Sequence, residues 1–121
     1  MRTEEFSKLV DRRITMSREV LIIKEKEYSS EQDRLHNFKR AAAMTGCSTP
    51  QAIWGMMVKH LVSIWDMVMG KIPDDRDLMN EKFTDMHNYL YLLEAGLIEH
   101  KLMMDATRTK IMERMKETKN D

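Results

Sequence analysis

The sequence predicts an all-α protein, a bundle of four to five helices in a single domain that covers residues 1–121. Glycine and proline are scarce, at four and two residues of 121, whereas unbranched side chains that lose little rotamer freedom in a helix are abundant. Apolar residues recur at three-, four- and seven-residue steps in each long segment, and short turn signals separate the segments. The core is expected within about 3–97.

The first two predicted helices are joined by the stretch "YSSEQD". The first covers residues 3 to about 27, and its inward stripe is Phe6, Val10, Ile14, Leu21 and Tyr28, flanked by Leu9 and Val20. Ser29 or Ser30 is expected to cap the second helix, with Asp33 in the place of the usual capping-box Glu. The second stripe is Leu35, Phe38, Ala42 and Met44. Gly46 is expected to end that helix.

The third helix has the clearest ends. Thr49 is the predicted N-cap, Pro50 fits the first helical position, and Gly70 ends the run. One apolar stripe comprises Ile53, Met57, His60 or Leu61, Ile64 and Val68. A second set broadens the apolar surface and predicts that the helix is contacted from two sides: Trp54, Met56, Trp65 and Met67.

The fourth helix is expected from about Asp75 to Leu97, after Pro73 breaks the chain and Asp74 or Asp75 caps the new start. Its stripe is Leu78, Phe83, Met86, Leu90 and Leu93. Gly96 either ends the helix or weakens it. A C-terminal helix over 98–118 continues the apolar pattern more thinly, and we expect it either to dock on another subunit or to fray at its end.

Charge and composition exclude several classes of protein. Twenty basic residues balance twenty acidic ones, which argues against nucleic acid as the partner, and no apolar run approaches the ~20 residues of a membrane span. The N-terminus lacks the pattern of a signal peptide, and the single Cys47 suits a reducing cytoplasm. The thirteen methionines are read first as flexible core filler and, as the alternative, as a contact surface for a partner.

Glu81 and Asp85 are the best candidates for chemistry, because residues four apart share one helix face and Asn88 follows on the same side. Two carboxylates and an amide oxygen could hold a hard cation such as Mg²⁺. By spacing alone, an ordinary solvated face is the favoured interpretation.

His60 is interpreted as a histidine at the edge of the core in preference to a metal ligand. A basic region could clamp phosphates, although a solvated face is again favoured: Lys24, Lys26, Arg34, Lys39 and Arg40.

Three short stretches follow one another between Lys24 and Gly96: "KEKEYSSEQDRLHNFKRAA", "MMVKHLVSIWDM" and "EKFTDMHNYLYLLEAG". Together they resemble small phage proteins of the MazG-like, nucleotide-modification-associated group. The resemblance implies a relative of the all-α nucleotide pyrophosphohydrolases, which are dimers or tetramers that hold Mg²⁺ with carboxylates from two helices. It implies metal ligands at Glu81 and Asp85. It also matches the family at a set of other positions: Lys24, Tyr28, Asn37, Phe38, Lys59, Asn88 and Tyr89.

The chain departs from catalytic members of that group, which carry a Glu-x-x-Glu pair on the preceding helix. Between Pro50 and Gly70 the only carboxylate is Asp66. Two ligands on one helix leave Mg²⁺ under-coordinated, which argues against Mg²⁺-dependent hydrolysis of nucleoside triphosphates. We therefore expect a cytoplasmic homo-oligomer that binds a nucleotide, which could be modified or used in signalling, with weak or no turnover. Its phosphate contacts are expected from Lys24, Lys39 or Lys59.

The alternative is a non-enzymatic protein that inhibits a host protein or a host defence through a surface rich in Met and Trp. Its basis is the missing carboxylate pair together with the many methionines.

Overall fold

A computed structural model describes residues 1–28, 33–73 and 75–120, with side chains given for all of these except 24–28. The described residues form four helices, α1 (Thr3–Tyr28), α2 (His36–Thr45), α3 (Thr49–Val68) and α4 (Arg76–Asn120), and contain no β-sheet. The all-α prediction is confirmed. Within the described part of the chain, no helix is both long and apolar enough to cross a membrane.

The short turn between α2 and α3 follows the predicted glycine. Gly46 has a φ of 67°, in the left-handed region that favours glycine, and it ends α2 as predicted. The N-cap of α3 is Ser48 and not Thr49, so the predicted start is wrong by one residue. The Ser48 hydroxyl accepts the Gln51 N–H at 3.3 Å, and the Gln51 side chain accepts the Ser48 N–H at 2.9 Å. This reciprocal capping box satisfies two amide donors that the first turn would otherwise leave free.

The second helix begins later than predicted. Residues 34 and 35 form a turn, in which the Asp33 carboxylate accepts the Leu35 N–H at 3.0 Å, and the helix starts at His36. The proposed caps at Ser29 and Ser30 lie outside the described residues.

The fourth and fifth predicted helices are one helix of 45 residues. Asp75 caps it by accepting the Asp77 N–H at 2.9 Å. Gly96 does not end the helix, and the helix predicted over 98–118 is the C-terminal part of α4, because intrahelical hydrogen bonding continues through this glycine. Gly96 is buried against α3, where a Cβ atom would lie 2.8 Å from Ile53 Cδ1. The bundle therefore has four helices, and residues 101–120 are all exposed in the single chain.

The core lies where α3 packs between α4 and α2. Leu35, Ile53 and Leu92 are buried at its centre. Four partly buried side chains pack around them: Leu21, Phe38, Tyr89 and Leu93. Burial of such side chains stabilises the fold by about 1.5–3 kcal/mol each.

Helix α1 packs on α4 with a different face from the predicted one. Phe6, Val10 and Ile14 are exposed, so this part of the predicted stripe is wrong. Instead the Arg13 guanidinium donates to the Asn80 carbonyl oxygen at 2.8 Å and to Thr84 Oγ1 at 2.7 Å. Charge-assisted hydrogen bonds to groups on α4 set the rotation of α1 about its axis. Other predicted core residues are exposed as well: Met44, Val68 and Leu90.

Candidate ligand-binding site

A cavity of about 300 Å³ opens where all four helices approach one another. Its volume is at the lower end of the range for small-molecule sites. Residues from α1, from α2 and the turn before it, from α3 and from α4 form its walls: Leu21, Arg34, Asn37, Phe38, Met56, Asp85, Asn88, Tyr89 and Leu92. Three of the predicted site residues, Asn37, Asp85 and Asn88, are therefore brought together, although 48 residues separate the first two in the chain.

Asn88 is the most informative residue of this cavity. Its side chain is 5% exposed, and neither its amide nitrogen nor its amide oxygen has a hydrogen-bond partner among the described residues. A buried polar group without a partner costs about 1–3 kcal/mol. A carboxamide offers two N–H donors and an oxygen acceptor. Both polar atoms of Asn88 are shielded from solvent, so a ligand in the cavity would reach them after a rotation of the side chain.

Asp85 lies beside His60, the histidine that the helical pattern of α3 predicts at the edge of the core. Asp85 Oδ2 is 3.7 Å from His60 Nδ1, and both side chains are largely buried. This distance fits an ion pair when the imidazole is protonated, but it is too long for a hydrogen bond. The pair was missed because the two residues lie on different helices. The available signal was that His60 belongs to the inner stripe of α3.

Tyr89 links the aromatic side chains around the cavity. Its ring centroid is 4.9 Å from that of His60, and it meets Phe38 edge-on at 6.5 Å with an interplanar angle of 71°. Such aromatic pairs contribute about 0.5–1.5 kcal/mol beyond the area they bury. These contacts join α2 and α3 to α4, and they place aromatic rings next to the polar side chains of the cavity wall.

The structure leaves other predicted site residues apart from this cavity. Glu81 is exposed one turn before Asp85 and is not part of the cavity wall, and Lys59 is exposed on α3. Lys39 forms ion pairs with Asp33, at 2.7 Å, and with Glu99. The side chains of Lys24 and Tyr28 are not among those that the structure describes. Their roles at a nucleotide stay predictions.

The magnesium site also stays a prediction. Within residues 1–23, 33–73 and 75–120, no group of three or more His, Cys, Asp or Glu side chains is placed to hold a metal ion. Asp85 and Glu81 could contribute at most two carboxylates, so phosphate oxygens and water would have to complete an octahedral shell.

Among the described residues of the cavity wall, the cationic side chain is Arg34. In the sequence Arg34 belongs to the basic region of the first two helices, and nothing there distinguishes it from its basic neighbours. No protein-family model, curated protein or solved structure matches the chain.

Proposed function

We propose that the protein binds a nucleotide in the cavity between its four helices, as a MazG-like binding protein with weak or no hydrolysis. The observation that supports this proposal is the buried Asn88 carboxamide, whose donor and acceptor lack partners among the described residues. A nucleobase carries donors and acceptors side by side along its edge, and a carboxamide can pair with two of them at once.

The cavity walls suit the rest of a nucleotide. Phe38 and Tyr89 provide aromatic surface on which a base can lie, and stacking of this kind contributes about 1–3 kcal/mol per base. The Arg34 guanidinium can form two parallel hydrogen bonds to a phosphate group. Asn37 adds a second amide on the same wall.

Mg²⁺ would bind together with the phosphates of the nucleotide. Asp85, with Glu81 one turn earlier, could ligate it from the protein side. When bound, the ion would neutralise phosphate charge. The near approach of His60 to Asp85 means that a protonated imidazole would compete for the same carboxylate. No hydrolytic step is part of the proposal.

A matched pair of asparagines on α4 provides the test. Asn88→Leu removes a buried carboxamide that has no partner among the described residues and replaces it with an apolar group of similar size, so the free protein should keep or gain stability. Binding of a nucleotide should weaken at least about tenfold, because the ligand loses its hydrogen bonds. Asn80→Leu is the control, since Asn80 Oδ1 accepts from Arg13 Nη2 at 2.7 Å outside the cavity. It should lower stability and leave binding intact.

The measurements are isothermal titration calorimetry and thermal unfolding with a panel of nucleoside mono-, di- and triphosphates, with and without Mg²⁺. The proposal fails if no nucleotide of the panel binds the wild-type protein. It also fails if Asn88→Leu destabilises the protein as much as Asn80→Leu does, since the carboxamide would then have a structural partner.

A further inference from the structure

Another cavity, larger than the one that Asn88 lines, lies between α1 and α4. Its volume is about 510 Å³, within the range of small-molecule sites, and we call it the α1–α4 groove. Both helices supply its apolar walls: Leu9, Val10, Ile14, Met79, Phe83 and Tyr91. Val10 and Ile14 belong to the stripe that the sequence predicted in the core, and here they are exposed by 38% and 59%. The groove is therefore the place where α1 leaves part of its apolar stripe uncovered.

The polar wall of the groove is cationic. Arg12, Arg13, Arg76 and His87 line it, whereas no carboxylate does so among the described residues. In the same part of the chain, none of the three arginines forms an ion pair. Arg13 donates only to neutral oxygens of α4, and its pKa is lowered first by burial and next by the charge of Arg12. An anion beside these side chains would stabilise their charged forms.

Arg76 stands against the usual charge preference of a helix. It is the first residue of α4, where the N-terminal end of the helix dipole disfavours a cation. Asp75 already caps this end, because its carboxylate accepts the Asp77 N–H at 2.9 Å and the Leu78 N–H at 3.4 Å. The Arg76 side chain is exposed at the groove. It is therefore available to a ligand, and the start of α4 does not depend on it.

Ser17 adds a buried hydroxyl to the same wall. The residue is 4% exposed, and its Oγ has no hydrogen-bond partner among the described residues. A hydroxyl within a helix can donate to the carbonyl four residues earlier, as Thr15 does to Asp11 at 3.0 Å. The Ser17 oxygen is shielded from solvent, so a ligand would reach it after a rotation about the Cα–Cβ bond. It could then donate to an anionic oxygen.

We propose that the α1–α4 groove binds a small amphipathic anion, in which a carboxylate or phosphate group is attached to an apolar chain. The anionic group lies beside Arg12 and Arg76, and the apolar chain lies along Val10, Ile14 and Phe83. Arg76 and Phe83 are about 10 Å apart along the axis of α4, so one ligand can contact both. The ligand is a free molecule and not a lipid within a membrane, because its chain lies between two helices.

Calorimetry with related probes tests the charge and the chain separately. Decanoate and decyl phosphate, below the concentrations at which they form micelles, should both bind. Decanol lacks the charge and inorganic phosphate lacks the chain, so each should bind at least about tenfold more weakly. Vesicles of anionic phospholipid should not bind the protein. Failure of both decyl anions to bind would overturn the proposal, as would equally tight binding of decanol or phosphate, or binding to the vesicles alone.

Two double variants with the same net charge test the position of the anionic group. Arg12→Gln with Arg76→Gln should weaken decanoate binding about tenfold, because two exposed charge contacts are lost. Arg18→Gln with Arg108→Gln is the matched control, since it removes the same charge from exposed positions of α1 and α4 outside the groove. It should change the affinity less than about twofold. All four arginines are exposed, so both variants should keep the wild-type circular dichroism spectrum. Equal weakening in the two variants would overturn the proposal.

Nuclear magnetic resonance of labelled methionine methyl groups locates the apolar chain. Decanoate should shift the signal of Met79, which lines the groove, and leave that of Met112 on the distal part of α4 unchanged. A shift at Met112 without one at Met79 would overturn the proposal.

The groove shares no lining residue with the cavity proposed for a nucleotide, so the two proposals can fail separately. Asn88→Leu should leave decanoate binding unchanged, and loss of decanoate binding in that variant would contradict the assignment to the groove. The variant that lacks Arg12 and Arg76 should likewise bind a nucleotide as the wild-type protein does.

Discussion

Replacement of Gly96 by alanine should destabilise the protein, although the same change in most helices is stabilising. Alanine is favoured over glycine in a helix interior by about 1 kcal/mol. At Gly96, however, the new Cβ would lie 2.8 Å from Ile53 Cδ1 and 4.0 Å from Pro50 Cα, so either the Ile53 side chain would have to shift or α4 and α3 would have to separate.

The size of the effect follows from these two opposing terms. Ile53 is fully buried, so a shift of its terminal methyl group would press on the close-packed side chains around it. Overpacking of this kind costs about 1–3 kcal/mol, which exceeds the gain in helix propensity and leaves a net loss of about 1 kcal/mol. Gly55→Ala is the matched control within α3, because nothing lies within 4 Å of its Cβ position. It should gain up to about 1 kcal/mol.

A double-mutant cycle with Ile53→Val tests the contact itself. This change removes the Cδ1 methyl group that the new Cβ would meet, at a cost of about 0.5–1.5 kcal/mol on its own. In that background Gly96→Ala should become favourable, so the coupling between the two positions should be about 2 kcal/mol. Urea unfolding of the four variants at one protein concentration measures it. A coupling near zero, or equal stabilisation by Gly96→Ala and Gly55→Ala, would refute the close approach as the reason for this glycine.

Two further predictions concern the polar contacts that hold α1 and α2 in place. Arg13→Met should lower the free energy of unfolding by about 2–3 kcal/mol, because it removes charge-assisted hydrogen bonds and leaves the buried Thr84 hydroxyl without its donor. Arg12→Met, at an exposed neighbour, should change it by no more than about 0.5 kcal/mol, and an equal loss in both variants would contradict the assigned role. The pKa of Asp33 is lowered, first by the hydrogen bond that its carboxylate accepts from Lys39 and next by the one from the Leu35 N–H. The pKa of Lys39 is raised, first by its hydrogen bond to Asp33 and next by its hydrogen bond to Glu99. Lys39→Met should therefore lower the free energy of unfolding by the same amount at every pH between about 5 and 9. This difference from the wild-type protein should shrink as the pH falls through the lowered pKa of Asp33, and also as the pH rises through the raised pKa of Lys39. A difference that does not change at either extreme of pH would show that the ion pair does not contribute.

Helix number and most helix ends could be predicted because local chemistry sets them. Gly46 and Gly70 adopt positive φ values where the patterns of α2 and α3 stop, and Asp75 caps α4. These interactions span only a few residues, so they can be read in a short window. Ser48 was missed in favour of Thr49 because both are good caps and only the reciprocal bond to Gln51 distinguishes them.

The candidate site could be predicted in part. The resemblance and the helical spacing pointed to Asn37, Asp85 and Asn88, and the structure places these three around one cavity. The approach of His60 to Asp85 could not be predicted, because it depends on how two helices cross. The lack of a partner for the Asn88 amide among the described residues could not be predicted either, because it depends on the surroundings of the residue in space and not on its neighbours in the chain.

The sequence by itself determined that the protein is helical, where its helices turn, and that α3 has apolar residues on two sides. Only the tertiary structure decided which side of α3 and which face of α1 are buried, and that α4 runs on through Gly96. The physical reason is one of range. Helix formation depends on hydrogen bonds four residues apart, whereas burial depends on competition between faces for the same partner helix. On α1 the face that contacts α4 is the one that carries Arg13 and its hydrogen bonds. The face that carries Phe6 and Val10 is left exposed.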